Sequence, residues 1–136
     1  MKMKAVLYYK PGVIKYEEID TPEISQDEVL IKVDTALTCG TDIKTYKRGH
    51  PVLIKTVPSG FGHEFAGTIA EVGSNVKDFK QGDRVVAANS APCYECYYCR
   101  IQKYNLCENL GLLNGAFAEY IKVPSRIVKY NLLKIP

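Results

Sequence analysis

The order of apolar and polar positions along the chain is strand-like almost throughout. Ala5 to Tyr9 and Val13 to Ile19 are two β-rich runs split by Pro11-Gly12, the composition of a hairpin connection. Val29 to Val33 alternates as a half-buried strand does. Glu64 to Val72 and Asp83 to Ala87 predict two further strands, separated by a charged, turn-rich stretch from Gly73 to Gly82. Phe117 to Val123 and Ile127 to Tyr130 predict two more, divided by Pro124-Ser125. One short helix is expected before residue 93, over Thr41 to Lys47, stopped by Gly49 and Pro51. Many short strands with Gly and Pro turns imply a mainly β fold, a small, partly open barrel or sandwich. There is no internal repeat and no low-complexity linker, so residues 1–136 read as one domain.

The segment from Ala91 to Gly115 breaks this pattern. It is poor in β periodicity, rich in Cys, Tyr and Asn, and too long for an ordinary hairpin loop. It reads as an inserted lobe that cannot build its own core.

Composition narrows the partners. With 136 residues and 46% apolar positions, one core can bury roughly two-thirds of the unfolded surface. Eighteen Lys and Arg against fifteen Asp and Glu, with no basic block, argue against nucleic acid or anionic membrane as a partner. No apolar run approaches the roughly 18 residues of a membrane span, and the first residues lack a signal-peptide pattern. Five cysteines, four of them within fifteen positions, fit a metal-binding chain of the cytoplasm better than a secreted disulfide framework.

Those four are Cys93, Cys96, Cys99 and Cys107. Structural zinc takes four tetrahedral ligands, and short loops let one chain wrap the ion. Metal binding then supplies the ordering free energy that a coreless loop lacks. An iron–sulfur run would close with three residues before a Cys-Pro, which is not the spacing here. A thioredoxin-like pair needs only two cysteines.

The fifth cysteine stands in Cys39-Gly40-Thr41-Asp42, and Gly62-His63-Glu64-Phe65-Ala66-Gly67 follows. Cys39 and His63 have the chemistry for a second, more open metal site. Asp42 suits the second imidazole N–H, and Thr41 offers a hydroxyl for proton transfer. Residue types alone leave a small core cysteine and a hydrogen-bonded histidine equally open. Gly60-Phe61-Gly62 is not a dinucleotide fingerprint, because Phe65 stands where its third glycine belongs. His63-Glu64 does not open a zincin helix, because Gly67 stands where the second histidine belongs.

Taken together, the motifs resemble the zinc-dependent medium-chain alcohol and polyol dehydrogenases. The resemblance rests on Gly62-His63-Glu64-x2-Gly67-x5-Gly73-x2-Val76, on Cys39-Gly40-Thr41-Asp42, on the four-cysteine lobe and on Gly82-Asp83-Arg84-Val85, in that family's arrangement from about Met3 onward. It implies a catalytic domain of GroES-like fold, a partly open barrel with an inserted zinc lobe at about 91–115. It assigns Cys39 and His63 to catalytic zinc, with Glu64 close behind or swinging in as an alternate ligand. Asp42 backs the histidine, and Thr41 begins a proton relay. Cys93, Cys96, Cys99 and Cys107 would carry structural zinc. The implied reaction is oxidation of an alcohol or polyol by hydride transfer to NAD or NADP, in a full-length form that is a homo-oligomer.

Two departures limit this transfer. Lys44 stands where the classical alcohol dehydrogenases place the histidine ending the relay, and the chain stops at Pro136, where a Rossmann domain and the third ligand would follow. The expectation is a catalytic domain inactive by itself. A zinc-stapled, non-catalytic binding or structural module is the alternative. His50 is expected in a surface loop near the cleft, and Lys44, Tyr46 and Lys47 are candidates to face substrate hydroxyls.

Overall fold

The computed structural model describes residues 1–136. β1 (Lys2–Lys10) and β2 (Val13–Asp20) pair as an antiparallel hairpin. β3 (Val29–Leu37) leads into α1 (Gly40–Arg48), followed by the two-residue β4 (Ser59–Gly60). β5 (Glu64–Val72) and β6 (Arg84–Ala87) come next. The lobe holds β7 (Ser90–Ala91), α2 (Tyr97–Arg100), a single 3-10 turn at Tyr104–Leu106 and β8 (Gly111–Leu112). β9 (Tyr120–Val123), α3 (Ser125–Asn131) and β10 (Leu132–Lys134) complete the chain. No helix is long and apolar enough to cross a membrane.

Three sheets result, ordered β2-β1-β4, β10-β6-β5-β3-β9 and β7-β8. The two larger sheets do not close on each other, as expected of a partly open barrel. They are stitched together where the Val6 N–H donates to the Phe117 carbonyl and Ala5 bridges Ala118. β3 runs between β5 and β9, so Val29, Leu30 and Ile31 are all buried. Their partners in the core include Ile69, Val85, Val123 and Ile127, each at most 1% exposed.

The sequence pattern fails in two places near the C-terminus. Ile127 to Tyr130 is helix rather than strand. Pro124 is extended and sits just ahead of the first turn, and the Val128 N–H returns to the Pro124 carbonyl at 3.0 Å. Only the adjacent pair Ile127 and Val128 is buried, which one face of a helical turn accommodates. The strand expected over Phe117 to Val123 begins only at Tyr120, because Phe117 and Ala118 are recruited by β1 instead. The short pairings of β4, β7, β8 and β10 carried no readable periodicity.

Two glycines decide how the barrel meets the residues of interest. At Gly67 a Cβ would lie 2.2 Å from the Lys32 carbonyl oxygen, so β3 and β5 can approach only without it. Gly62 has a φ of +86°, and a Cβ there would sit 2.7 Å from the Phe117 ring. Gly62→Ala therefore meets both left-handed strain and overpacking. We expect a loss of about 2–4 kcal/mol in chemical denaturation, whereas Gly40→Ala, with open space around it, stays within about 1 kcal/mol.

Candidate metal centres

The pairing of β3 with β5 brings the first cluster together. Its last rung sets Leu37 opposite Glu64, so the residues just beyond, including Cys39 and His63, leave the sheet side by side. Cys39 is the N-cap of α1, with the Thr41 N–H donating to its Sγ at 3.4 Å. The capping box closes through Asp42, whose Oδ2 accepts the Cys39 N–H at 2.9 Å. The other oxygen of Asp42, Oδ1, lies 3.2 Å from His63 Nδ1. That approach is close but off the hydrogen-bond axis, which leaves Nδ1 without an aligned partner. Asp42 and His63 are each 3% exposed, a burial that polar side chains rarely reach unless something compensates them.

Ligand atoms of Cys39, His63 and Glu64 all lie within 4.8 Å of one another. A thiol, an imidazole and a carboxylate form a donor set that zinc accepts. With Nδ1 turned to Asp42, Nε2 is the imidazole nitrogen left for a metal. His63 and Glu64 also border a cavity of about 460 Å³. Its other walls include Thr35, Leu37, Val86 and Asn89, from β3, β6 and the turn after β6. No motif announced these four, because only strand pairing carries them to the site.

The second cluster is the lobe. Sulfurs of Cys93, Cys96, Cys99 and Cys107 lie mutually within 4.8 Å, with Cys93 Sγ and Cys99 Sγ 3.9 Å apart. That is far beyond a disulfide bond. It matches the separation of about 3.8 Å for two sulfurs 2.3 Å from one tetrahedral centre. Backbone N–H groups point at the sulfurs: Cys96 and Glu95 donate to Cys93 Sγ, and Cys93 and Asn109 donate to Cys107 Sγ. The Glu95 and Cys96 N–H groups hold the Cys93 thiol down at about 6. Burial pushes the Cys99 thiol up to about 12. The backbone N–H of Glu108 leads the causes lowering Cys96.

The lobe is pinned through Tyr94, which adopts a φ of 61° between two of the cysteines. Its ring centroid lies 5.3 Å from that of Tyr104 and 4.5 Å from that of Tyr130 on α3. The aromatic residues are thus partly used to fasten the lobe to the barrel. His50 belongs to neither cluster, since its Nδ1 accepts the Val52 and Leu53 N–H groups at 3.2 and 3.1 Å. Thr41 is half-buried in the first turn of α1, while Lys44, Tyr46 and Lys47 are exposed on the same helix.

Known proteins share this arrangement. Residues 25–136 match the alcohol dehydrogenase GroES-like domain. Sorbitol dehydrogenase of Bacillus subtilis is 41% identical over 127 residues, covering 89% of this chain and 36% of the relative. L-threonine 3-dehydrogenase of Bacillus velezensis is 41% identical over 137 residues, covering 96% of this chain and 39% of the relative. A protein of Sinorhizobium meliloti 1021, described as a zinc-binding dehydrogenase and bound to NADP, superimposes with a TM-score of 0.86. It is 34% identical and covers 100% of this chain and 39% of its own. The chain therefore spans well under half the length of these relatives. Its sequence and its fold place it in the alcohol dehydrogenase GroES-like domain family.

Proposed function

We propose that this chain is the zinc-binding catalytic domain of an NAD(P)-dependent alcohol or polyol dehydrogenase. The observation that carries the reading is the convergence of Cys39, His63 and Glu64 on one point beside a cavity, backed by the buried Asp42. Zinc held there supplies a Lewis acid that lowers the pKa of an alcohol oxygen.

The residues then divide the work. Cys39 and His63 would be the primary donors to a bound zinc, with Glu64 close behind as an alternate ligand. Asp42 is a positioning residue: one oxygen sets the Cys39 backbone, the other faces the imidazole and selects its tautomer. Thr41 takes the alcohol proton at its Oγ1 and passes it outward. The four lobe thiolates hold a closed structural site with no position for substrate. The remainder of the full-length protein supplies the nucleotide-binding domain and the last ligand. NAD or NADP, held by that domain, would accept the hydride. Cysteines outside any disulfide suit a cytoplasmic protein, and the full-length form would be a homo-oligomer.

Metal analysis tests the reading directly. The purified chain should hold zinc firmly in the lobe and only partly at the Cys39 site, and Cys39→Ser should remove the one that mild chelation strips first. Equal retention of both metals by that variant would sink the assignment. Asp42→Asn should weaken zinc at the Cys39 site by about 10–100-fold without affecting the lobe, read by competition with a chromogenic chelator.

The 136-residue chain by itself should show no NAD-linked alcohol oxidation. Robust turnover would overturn the division between two domains.

The lobe makes its own prediction once stripped of metal. With a pKa of about 6, Cys93 is mostly thiolate at pH 7 and alkylates first. Lowering the pH below 6 protonates it and removes that lead. Cys99, at about 12 and 5% exposed, reacts last. Mass spectrometry after timed iodoacetamide treatment reads the order.

A further inference from the structure

A cavity separate from both cysteine clusters differs from its neighbours in charge. It measures about 470 Å³ and lies between the loop after α1, the end of the lobe and the start of α3. Two cations, Lys55 and Arg126, line it, and no carboxylate does. Neither forms an ion pair anywhere in the protein. The stretch supplying Lys55 is uncompensated as well: residues 43–63 contain Lys44, Lys47, Arg48 and Lys55 and no Asp or Glu. By contrast, a larger cavity of about 560 Å³ that also touches Arg126 sets Lys77 and Lys129 among Asp27, Asp78 and Glu95.

The neutral groups have a polarity of their own. Ser59 Oγ donates to the Gly60 carbonyl at 2.9 Å, which leaves its lone pairs as acceptors. The Asn114 amide nitrogen donates to the same carbonyl at 2.7 Å, which leaves Oδ1 as an acceptor facing no other donor. One Arg126 nitrogen is fixed on the Asn109 carbonyl, so the guanidinium is held in place while other N–H groups remain to be used. One wall therefore accepts hydrogen bonds, and the other offers two positive charges.

We propose that this cavity binds a polyol carrying a phosphate monoester. Hydroxyl groups of the polyol donate to Ser59 Oγ and Asn114 Oδ1. The phosphate, close to a dianion at pH 7, is matched by Lys55 and Arg126. The cavity shares no lining residue with the one beside His63 and Glu64, although a single stretch of backbone runs between them. Ser59 stands four residues before His63, and the Gly115 and Ala116 N–H groups both bind the Gly62 carbonyl, at 2.8 and 2.9 Å. The site therefore stands apart from the proposed reaction centre, and the proposal does not depend on the dehydrogenase reading.

Nitrogen-15 NMR titration of the zinc-loaded chain tests the site, with glycerol 3-phosphate as probe and glycerol, glycerate and inorganic phosphate as comparisons. We expect glycerol 3-phosphate to move the amides of Ser59, Gly111 and Asn114 and to bind more tightly than any comparison. Lys55→Gln and Arg126→Gln should each weaken it about tenfold. Lys129→Gln removes the same charge from the other cavity and should leave it unchanged.

Absence of shifts at those amides would overturn the site. Equal binding of glycerate or inorganic phosphate would overturn the ligand class, and equal weakening by Lys129→Gln would reduce the effect to bulk charge. Zinc content measured on the same samples separates the two proposals. Zinc bound at the Cys39 site without phosphate binding sinks this proposal alone, and no zinc at that site under saturating metal, with phosphate binding intact, sinks only the dehydrogenase reading.

Discussion

One buried carboxylate organises the end of the barrel where Cys39 and His63 meet. Asp42 closes the N-terminus of α1 through the Cys39 backbone and presents its second oxygen to His63. The two residues it joins come from segments more than twenty positions apart, so the contact is tertiary on one side and local on the other. Burial raises the stakes, because an unpaired carboxylate or imidazole at 3% exposure would be destabilising by several kcal/mol. Asp42 Oδ2 is satisfied by the Cys39 N–H, while Oδ1 at 3.2 Å turns His63 Nδ1 toward the carboxylate. Fold and chemistry meet in that side chain.

The two clusters illustrate different ways of preparing for a cation. In the lobe, four sulfurs come from one fifteen-residue stretch, and backbone N–H groups cradle two of them. Little of the lobe is buried, so its order depends on what the sulfurs hold and on the Tyr94 contacts to Tyr104 and Tyr130. The Cys39, His63 and Glu64 cluster depends instead on the barrel. Its donors differ in kind, stand at the end of a sheet and open onto a cavity. A closed set of like ligands favours permanence, whereas a mixed and open set favours exchange.

Charge follows a similar division. The carboxylates of the hairpin and of the turn before β6 face lysines, as in Lys2–Asp20, Lys4–Glu18 and Lys134–Asp83. The segment from residue 43 to 63 has cations and no such partners. Uncompensated charge in a concave surface is a force directed outward, toward a ligand rather than toward the fold.

The residues with distinctive chemistry were legible in the sequence, since cysteines at short spacing and Gly-His-Glu need no neighbours to be noticed. Most strands were legible too, because alternation over β1, β2, β3 and β5 is a local property. Tertiary structure decided what local pattern could not. It turned Ile127 to Tyr130 into a helix, drew Phe117 away from β9, and carried Thr35, Val86 and Asn89 to the wall beside His63. It also left Lys55 and Arg126 without carboxylates around one cavity. Spacing along a chain specifies which ligands are available, but distances between strands are set by pairing and by glycines such as Gly67, whose effect exists only when another strand is 2.2 Å from the missing Cβ.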